Sequence, residues 1–237
     1  MLRASCPTEL DEQRVIAALK FFPLSEQVIV ILGFETGLRL TELCRLPTGA
    51  VWRNGACVSV LRISRRFLKA GKVGAVRARS VRSREIPLND HAREYLTHFL
   101  EDRERQGPLW PQAPLFPGRD GRKHLSRVQA WRIIRKIFLQ AGCDPARTWA
   151  GHSLRRRFVR RIFEATNLEI ARRSVSHASA LTTAGYLFLE TDGEAATQAV
   201  LNLSRRHVRD ETTGGEKFPA ESAASDSGMS SVGLTPS

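Results

Sequence analysis

Residues 149–189 read WAGHSLRRRFVRRIFEATNLEIARRSVSHASALTTAGYLFL, and the rest of the chain is best interpreted outward from this stretch. It contains four side chains that can bind a phosphate or move its protons: His152, Arg155, His177 and Tyr186. His152 and Arg155 are three residues apart, which places them on one face of a helix. Taken singly, each of the four is more often a packing or surface residue, so only their combination indicates a site.

That combination resembles the catalytic segment of the tyrosine recombinases, also called phage integrases. The matching residues are HSLR at 152–155, SHAS at 176–179 and TTAGY at 182–186. Far upstream, TGLRLTEL at 36–43 is similar to a second signature of that family, T-G-L-R-x-x-E-L. Two separated motifs in the same order make the resemblance specific. One departure is Ser176, where the family commonly has a glycine before the histidine.

The charge of the chain favours a polyanionic partner. Its 237 residues include 37 Lys and Arg against 24 Asp and Glu, a net charge of +13, and the pI is near 10.7. Such an excess of positive charge is typical of nucleic-acid-binding proteins. A membrane surface is the competing explanation. It is disfavoured because no apolar run approaches the roughly 20 residues that span a bilayer, and the first residues lack a signal-peptide core.

The cysteine spacing and the lack of a nucleotide-binding motif limit which cofactors the protein is expected to use. Cys6, Cys44, Cys57 and Cys143 are scattered and show no metal-ligand spacing. We therefore expect no metal site, no cofactor and reduced thiols in a bacterial cytoplasm. The absence of a G-x-x-x-x-G-K-[ST] loop agrees with a reaction that needs no ATP, which the family resemblance implies.

Hydrophobic patterning predicts a mainly helical α+β domain with a small antiparallel β-sheet. Thr8, Asn89 and Ser126 are the expected N-caps of three helices. Further helices are expected from the apolar residues 28–32 to residue 36, over 40–46 and within 152–165. Gly37 takes the turn that brings Arg39 to the start of the helix at 40–46. The Asn54-Gly55 pair between β-branched residues predicts a hairpin, and residues 51–88 are expected to form one sheet.

A basic connection, SRRFLKAGKVGAVRARSVRS at 64–83, joins the strands of this sheet. The family resemblance implies a catalytic lysine on such a hairpin. Lys69 is the preferred candidate because it ends the run 61–68 just before Ala70-Gly71, and Lys72 is the alternative. A third interpretation is that both lysines only contact the DNA backbone.

Three residues are predicted to contact DNA phosphates outside the catalytic set. Lys72 lies in the basic connection, and Arg132 lies on the polar side of the helix expected at 128–141. Arg156 belongs to a row of arginines that helical spacing places away from the apolar positions Leu154 and Phe158.

The domain prediction is one catalytic domain over residues 1–207. Family members commonly carry an additional N-terminal helical domain that completes a clamp around DNA, and none is expected here. Within the domain, residues 192–203 are expected to form a short amphipathic helix. Residues 208–237 are rich in Gly, Ser, Thr and Ala and are expected to be a disordered tail.

The resemblance implies breakage and rejoining of a DNA strand through a covalent phosphotyrosine. Tyr186 would be the nucleophile, His152 its base, and His177 a hydrogen-bond donor to a non-bridging phosphate oxygen. Lys69 would protonate the leaving 5′-hydroxyl. Two arginines, Arg39 and Arg155, would replace a metal ion as the positive charge on the phosphate, because a guanidinium stays charged and binds two oxygens at once.

By family analogy we expect a site-specific recombinase that integrates, excises or inverts DNA and is associated with a plasmid or phage. It would act on double-stranded DNA as a homotetramer on two sites, with an accessory DNA-binding protein supplying further contacts. One alternative is a DNA-binding regulator that retains the fold. Another is a strand-nicking topoisomerase, which would not need paired sites.

Overall fold

The computed structural model describes residues 4–64, 83–176 and 180–187. The helices are α1 Glu9–Ala18, α2 Leu24–Thr36, α3 Leu40–Cys44, α4 Asp90–Gln106, α5 Arg127–Gln140, α6 Gly151–Ala165, α7 Leu168–Ser174 and α8 Ala180–Leu187. The strands are β1 Trp52–Arg53, β2 Ala56–Cys57, β3 Val60–Ile63 and β4 Arg84–Pro87. Short 3₁₀ turns cover Leu19–Phe21 and Thr48–Ala50. The predicted helix at 192–203 and the predicted tail at 208–237 lie outside the described residues.

Helix α2 forms the centre of the core. Its residues from Val28 to Phe34 are buried, and it packs against α4, α5 and α6. Gly33 allows the close approach of α6, because a Cβ at this position would collide with the Leu154 side chain. Gly37 ends α2 in the left-handed conformation, with φ +57°, and a Cβ there would collide with the Phe158 ring. The two glycines therefore bring the 36–43 and 152–155 signatures side by side.

The predicted helix starts are confirmed. The Thr8 side chain accepts from the Asp11 N–H, the Asn89 side chain from the Ala92 N–H, and the Ser126 side chain caps α5 in the same way. These bonds satisfy backbone donors that the first turn of a helix leaves free. Helix α3 is shorter than expected and ends at Cys44.

The prediction of a single sheet over 51–88 is wrong for the described residues. Strands β1 and β2 form one two-stranded antiparallel sheet, and β3 and β4 form another. The chain leaves the extended ladder at Val58 and Ser59, which separates the two pairs. The hairpin itself is confirmed, since Asn54 and Gly55 both have positive φ, 51° and 73°, as a two-residue turn requires.

A second, smaller apolar cluster joins the three C-terminal helices of the described region. Phe158 and Val159 of α6 pack with Val175 at the end of α7 and Leu187 of α8. This cluster fixes α7 and α8 on α6 and so fixes the position of residue 186. Among the described residues, no helix is long and apolar enough to cross a membrane.

Candidate active site

Arg39 is held at the start of α3 by Glu42. The Glu42 carboxylate accepts from the Arg39 backbone N–H at 2.9 Å and from Nη1 of its side chain at 2.9 Å. The carboxylate is almost fully buried, with 1% of its surface exposed, whereas the Arg39 side chain is 30% exposed. Glu42 therefore orients a guanidinium that still faces solvent.

Arg155 connects the two signatures. It is fully buried, at 0% exposure. Nη1 donates to the carbonyl of Gly37, and Nη2 donates to the carbonyl of Val175 at 2.8 Å. Burial first, and the charge of Arg39 next, lower the pKa of Arg155 to about 10, so the group remains a cation at neutral pH. Its Nε is buried and makes no hydrogen bond within the described region.

The structure adds Arg84 to this site, a residue that the sequence reasoning missed. It lies in β4, and its Nη2 donates to the Ser174 carbonyl at 2.9 Å. Its Nη1 lies 3.8 Å from the Glu42 carboxylate. Burial lowers the pKa of Arg84, Glu42 opposes that shift, and the charge of Arg39 adds to it. Arg84 could have been identified from the sequence, because side chains alternate between the two faces of a strand and Arg84 shares the buried face of β4 with Ile86.

These residues form a site with unbalanced positive charge. Three guanidinium groups, those of Arg39, Arg84 and Arg155, are grouped around one carboxylate, that of Glu42. A buried cation without a matched anion is costly. The arrangement is suited to an anion with several oxygens, such as a phosphate diester.

Tyr186 lies near this cationic site, in the last turn of α8, and is half-buried. A negative charge on the Tyr186 oxygen would raise the pKa of Arg155, whereas burial lowers it. The phenol is therefore within electrostatic reach of that guanidinium. The guanidinium carbon of Arg156 lies 5.7 Å from the centre of the Tyr186 ring. The structure therefore brings Arg39, Arg155 and Tyr186 into one neighbourhood.

His152 occupies the first turn of α6 and is exposed, whereas Arg155, less than one turn later, is buried. An exposed imidazole at a helix N-terminus is accessible to an incoming substrate. Lys69, Lys72 and His177 lie outside the described residues. Arg132 is exposed on α5, consistent in position with a surface that contacts DNA.

The prediction that Arg156 faces outward is wrong. Its side chain is buried, and it donates to the backbone carbonyls of Ala4 and Gly185. The helical-wheel argument failed because α6 is packed against α2, α5, α7 and α8, so part of its polar side is enclosed as well as its apolar side. Direct phosphate contact by Arg156 is therefore not what this arrangement favours.

Two further arginines of α6 bind acidic side chains of other helices. Arg157 Nε donates to Glu12 at 2.6 Å, and both side chains are buried. Arg161 binds Glu12 at 3.0 Å and Glu35 at 3.0 Å. These ion pairs join α6 to α1 and α2, so this part of the arginine row stabilises the domain. No group of three His, Cys, Asp or Glu side chains suited to a metal occurs in the described ranges.

Comparison with known families agrees with this geometry. The model of the phage integrase family matches residues 8–191. The chain belongs to the phage integrase family.

Among the family's curated members, the tyrosine recombinase XerC of Erythrobacter litoralis (strain HTCC2594) is 26% identical over 186 residues, 78% of this chain and 51% of the relative. The tyrosine recombinase XerD of Xanthomonas campestris pv. campestris is 27% identical over 221 residues, 87% of this chain and 61% of the relative. The chain thus spans about half to three-fifths of the length of these relatives.

Solved structures of the phage integrase family show the same fold. The crystal structure of XerA recombinase superimposes with a TM-score of 0.61 at 20% identity, covering 86% of this chain and 66% of that one. XerH recombinase bound to difH substrate in a pre-cleavage complex gives a TM-score of 0.59 at 17% identity, covering 91% and 56%. The expected fold class, a mainly helical recombinase catalytic domain with small antiparallel β-structure, is confirmed, although the described strands form two sheets and not one.

Proposed function

We propose that this protein is a site-specific DNA recombinase that cleaves and rejoins DNA strands through a covalent 3′-phosphotyrosine. The observation that carries the proposal is the guanidinium cluster of Arg39, Arg84 and Arg155, which lies within electrostatic reach of Tyr186 and, among the described residues, is compensated by the single carboxylate of Glu42. Phosphoryl transfer depends on positioning and on stabilising the charge of the equatorial oxygens, and this cluster is suited to both.

In the proposed cleavage step, the Tyr186 oxygen attacks the scissile phosphorus as the bond to the 5′ oxygen breaks. His152 takes the phenolic proton, and Lys69 donates a proton to the leaving 5′ oxygen. The product is a phosphotyrosine diester and a free 5′-hydroxyl. Because one phosphodiester bond replaces another, a second 5′-hydroxyl can attack the phosphotyrosine and rejoin the strand without ATP. Lys72 remains the alternative proton donor.

Charge on the phosphate would be neutralised by Arg39 and Arg155, with His177 donating to a non-bridging oxygen. Arg39 is the more exposed of the two arginines and is the natural first contact for the substrate. Arg155 has its position fixed by two carbonyls. A preorganised cation needs no rearrangement as charge develops, which is the main source of electrostatic catalysis.

The proposed partner is double-stranded DNA, bound by a homotetramer on two sites. The net charge of +13 supports a polyanionic ligand. A lambda integrase dimer bound to a COC′ core site is among the structural neighbours, at 16% identity and a TM-score of 0.56. Exposed Arg132 and the lysine that is not catalytic would contact the backbone. An accessory DNA-binding protein would complete recognition of the site.

We further propose that residues 1–207 form the catalytic domain, and that the protein acts in a bacterial cytoplasm on a plasmid or phage element. Mobile-element DNA is a reasonable substrate, because integrases of the Tn1549 transposon share the fold, at 17% identity and a TM-score of 0.58.

Covalent trapping tests the proposal. The protein is incubated with nicked and supercoiled DNA from its own genetic neighbourhood, denatured, and examined for DNA attached to protein. The expected result is an adduct with the wild type and none with Tyr186→Phe, which removes only the attacking oxygen. DNA binding of normal strength without any adduct would instead support the DNA-binding regulator, and relaxation of DNA without paired sites would support a topoisomerase.

A further inference from the structure

Arg156 joins two parts of the chain that are distant in sequence. Its Nη1 donates to the carbonyl of Ala4 in the N-terminal segment, and its Nη2 donates to the carbonyl of Gly185 in α8 at 3.1 Å. The same guanidinium faces the Tyr186 ring at 5.7 Å. The side chain is buried, with 6% of its surface exposed. The Arg156 guanidinium thus contacts the N-terminal segment, the backbone just before Tyr186 and the Tyr186 ring.

The N-terminal segment is fixed on the domain independently of Arg156. The Ser5 N–H donates to the Thr148 carbonyl at 2.8 Å, and Arg147 Nη2 donates to the Cys6 carbonyl at 3.0 Å. The capping box of Thr8 then starts α1. The Ala4 carbonyl is therefore a fixed acceptor, held in place by bonds on the residues that follow it.

We propose that Arg156 is a positioning residue for Tyr186, and that it positions this residue through the Ala4 carbonyl. A guanidinium is planar, so two carbonyls bound by its two terminal nitrogens fix both its location and the orientation of its plane. The Tyr186 ring, 5.7 Å from the guanidinium carbon, is restrained by the cation that lies over it. This inference rests on the proposed function, in which Tyr186 is the nucleophile.

The consequence is that the N-terminal segment influences the chemical step without contacting the substrate. Displacing residues 4–7 withdraws the Ala4 carbonyl, one of the described acceptors, and so weakens the restraint on the guanidinium plane. The Tyr186 oxygen must lie in line with the leaving oxygen, and a displacement of about 1 Å can cost about 100-fold in rate. DNA affinity should not change, because Arg156 is buried beneath α8.

Two variants test the roles of the Arg156 guanidinium, the donor, and of the Ala4 carbonyl, the acceptor, separately. Arg156→Gln removes both guanidinium bonds. A chain in which residues 1–4 are deleted and Met replaces Ser5 lacks the Ala4 carbonyl but keeps an amino group to donate to Thr148. Arg105→Gln is the control, because Arg105 is 75% exposed and pairs only locally with Asp102. Each is measured for the single-turnover rate of adduct formation at saturating DNA, for Kd and for Tm.

Both variants should slow adduct formation about 10- to 100-fold with Kd unchanged, and the deletion should add no further loss in the Arg156→Gln background. The control should match the wild type. Arg156→Lys, which can reach one carbonyl but not both, should fall in between. Equal losses from the deletion in both backgrounds would overturn the proposal, as would a loss confined to Kd.

A spectroscopic readout does not depend on activity. The chain has two tyrosines, Tyr95 and Tyr186, so fluorotyrosine labelling of a Tyr95→Phe protein gives one ¹⁹F resonance. That resonance should move or broaden in Arg156→Gln and in the N-terminal deletion and stay unchanged in Arg105→Gln. A resonance unaffected by either variant overturns the positioning role. If the resonance shifts in these variants but the wild type forms no adduct, the positioning role stands and only the proposed function is refuted.

Discussion

Arg155 donates a hydrogen bond to the backbone carbonyl of Gly37, so the arginine of one signature is bonded to the turn that carries the other. That turn places Arg39 at the start of α3, where Glu42 holds its guanidinium. The two phosphate-binding arginines of the proposed reaction are thus not independent. A change at Arg155 is transmitted to Arg39 through two residues of backbone.

This relationship predicts a difference between Arg155→Lys and Arg39→Lys. Lysine at 155 cannot reach both the Gly37 and Val175 carbonyls, and leaves a buried acceptor unsatisfied at a cost of about 1–3 kcal/mol. We expect Arg155→Lys to lower the free energy of unfolding by that amount and to abolish adduct formation. Arg39→Lys should lose activity with less effect on stability. Urea unfolding and adduct assays measure both, and equal losses of stability would contradict the prediction.

Arg84→Gln should lower the rate of adduct formation about 10-fold or more, because a buried donor near the phosphate and the charge beside Glu42 are both lost. Arg62→Gln is the matched control. Arg62 lies opposite Glu85 in the same sheet and pairs with it at 3.0 Å, but both side chains are about two-thirds exposed, at 65% and 64%. Such a pair contributes roughly 0–1 kcal/mol. Similar rates for the two variants would remove Arg84 from the site.

The contact between α2 and α6 predicts that Gly33→Ala lowers the free energy of unfolding by about 1–3 kcal/mol through overpacking against Leu154. Leu154→Ala should cost about 2–5 kcal/mol by leaving a cavity. In the double variant the new methyl group fills part of that cavity, so we expect a loss smaller than the sum by about 1 kcal/mol. Additive losses, measured by chemical denaturation, would show that the two residues do not compete for space.

Arg157→Met tests whether the arginine row of α6 is structural. Arg157→Met removes a buried charged hydrogen bond to Glu12 but leaves Glu12 paired with Arg161, so we expect the free energy of unfolding to fall by about 1–3 kcal/mol. The slope of log Kd against log salt should not change, because Arg157 is not exposed to DNA. Arg160→Met is the comparison, since Arg160 pairs with Glu164 on the surface. A slope reduced by about one in Arg157→Met would place this arginine on a phosphate instead.

The local structure was largely predictable from the sequence, because caps and turns depend on a few neighbouring residues. Thr8, Asn89 and Ser126 each cap a helix as expected, and Asn54-Gly55 forms the expected turn. The arrangement of the site was less predictable. Arg84 reaches Glu42 and the Ser174 carbonyl across tertiary contacts that a local pattern does not contain.

Arg156 shows why amphipathicity misled the prediction for α6. A helical wheel assigns the polar side to solvent, which holds for a helix on the surface of a domain. Helix α6 has neighbours on several sides, so Arg156 and Arg157 are buried, and they are bound by backbone carbonyls and by Glu12. These partners lie on other parts of the chain, so the burial of the two arginines can be recognised only in the assembled fold.

The choice between Lys69 and Lys72 is settled by changing the leaving group. If Lys69 protonates the 5′ oxygen, Lys69→Ala should slow cleavage of normal DNA by about 100- to 10,000-fold, the usual contribution of general acid catalysis. A substrate with sulfur at the 5′ bridging position leaves as a thiolate, whose conjugate acid has a pKa of only about 8.5, so it needs no proton donor. Lys69→Ala should then cleave it at the wild-type rate, while Lys72→Ala should affect both substrates equally and weakly. The reverse pattern would assign the acid to Lys72, and slow cleavage of the sulfur substrate by both variants would mean that the lysines only bind DNA.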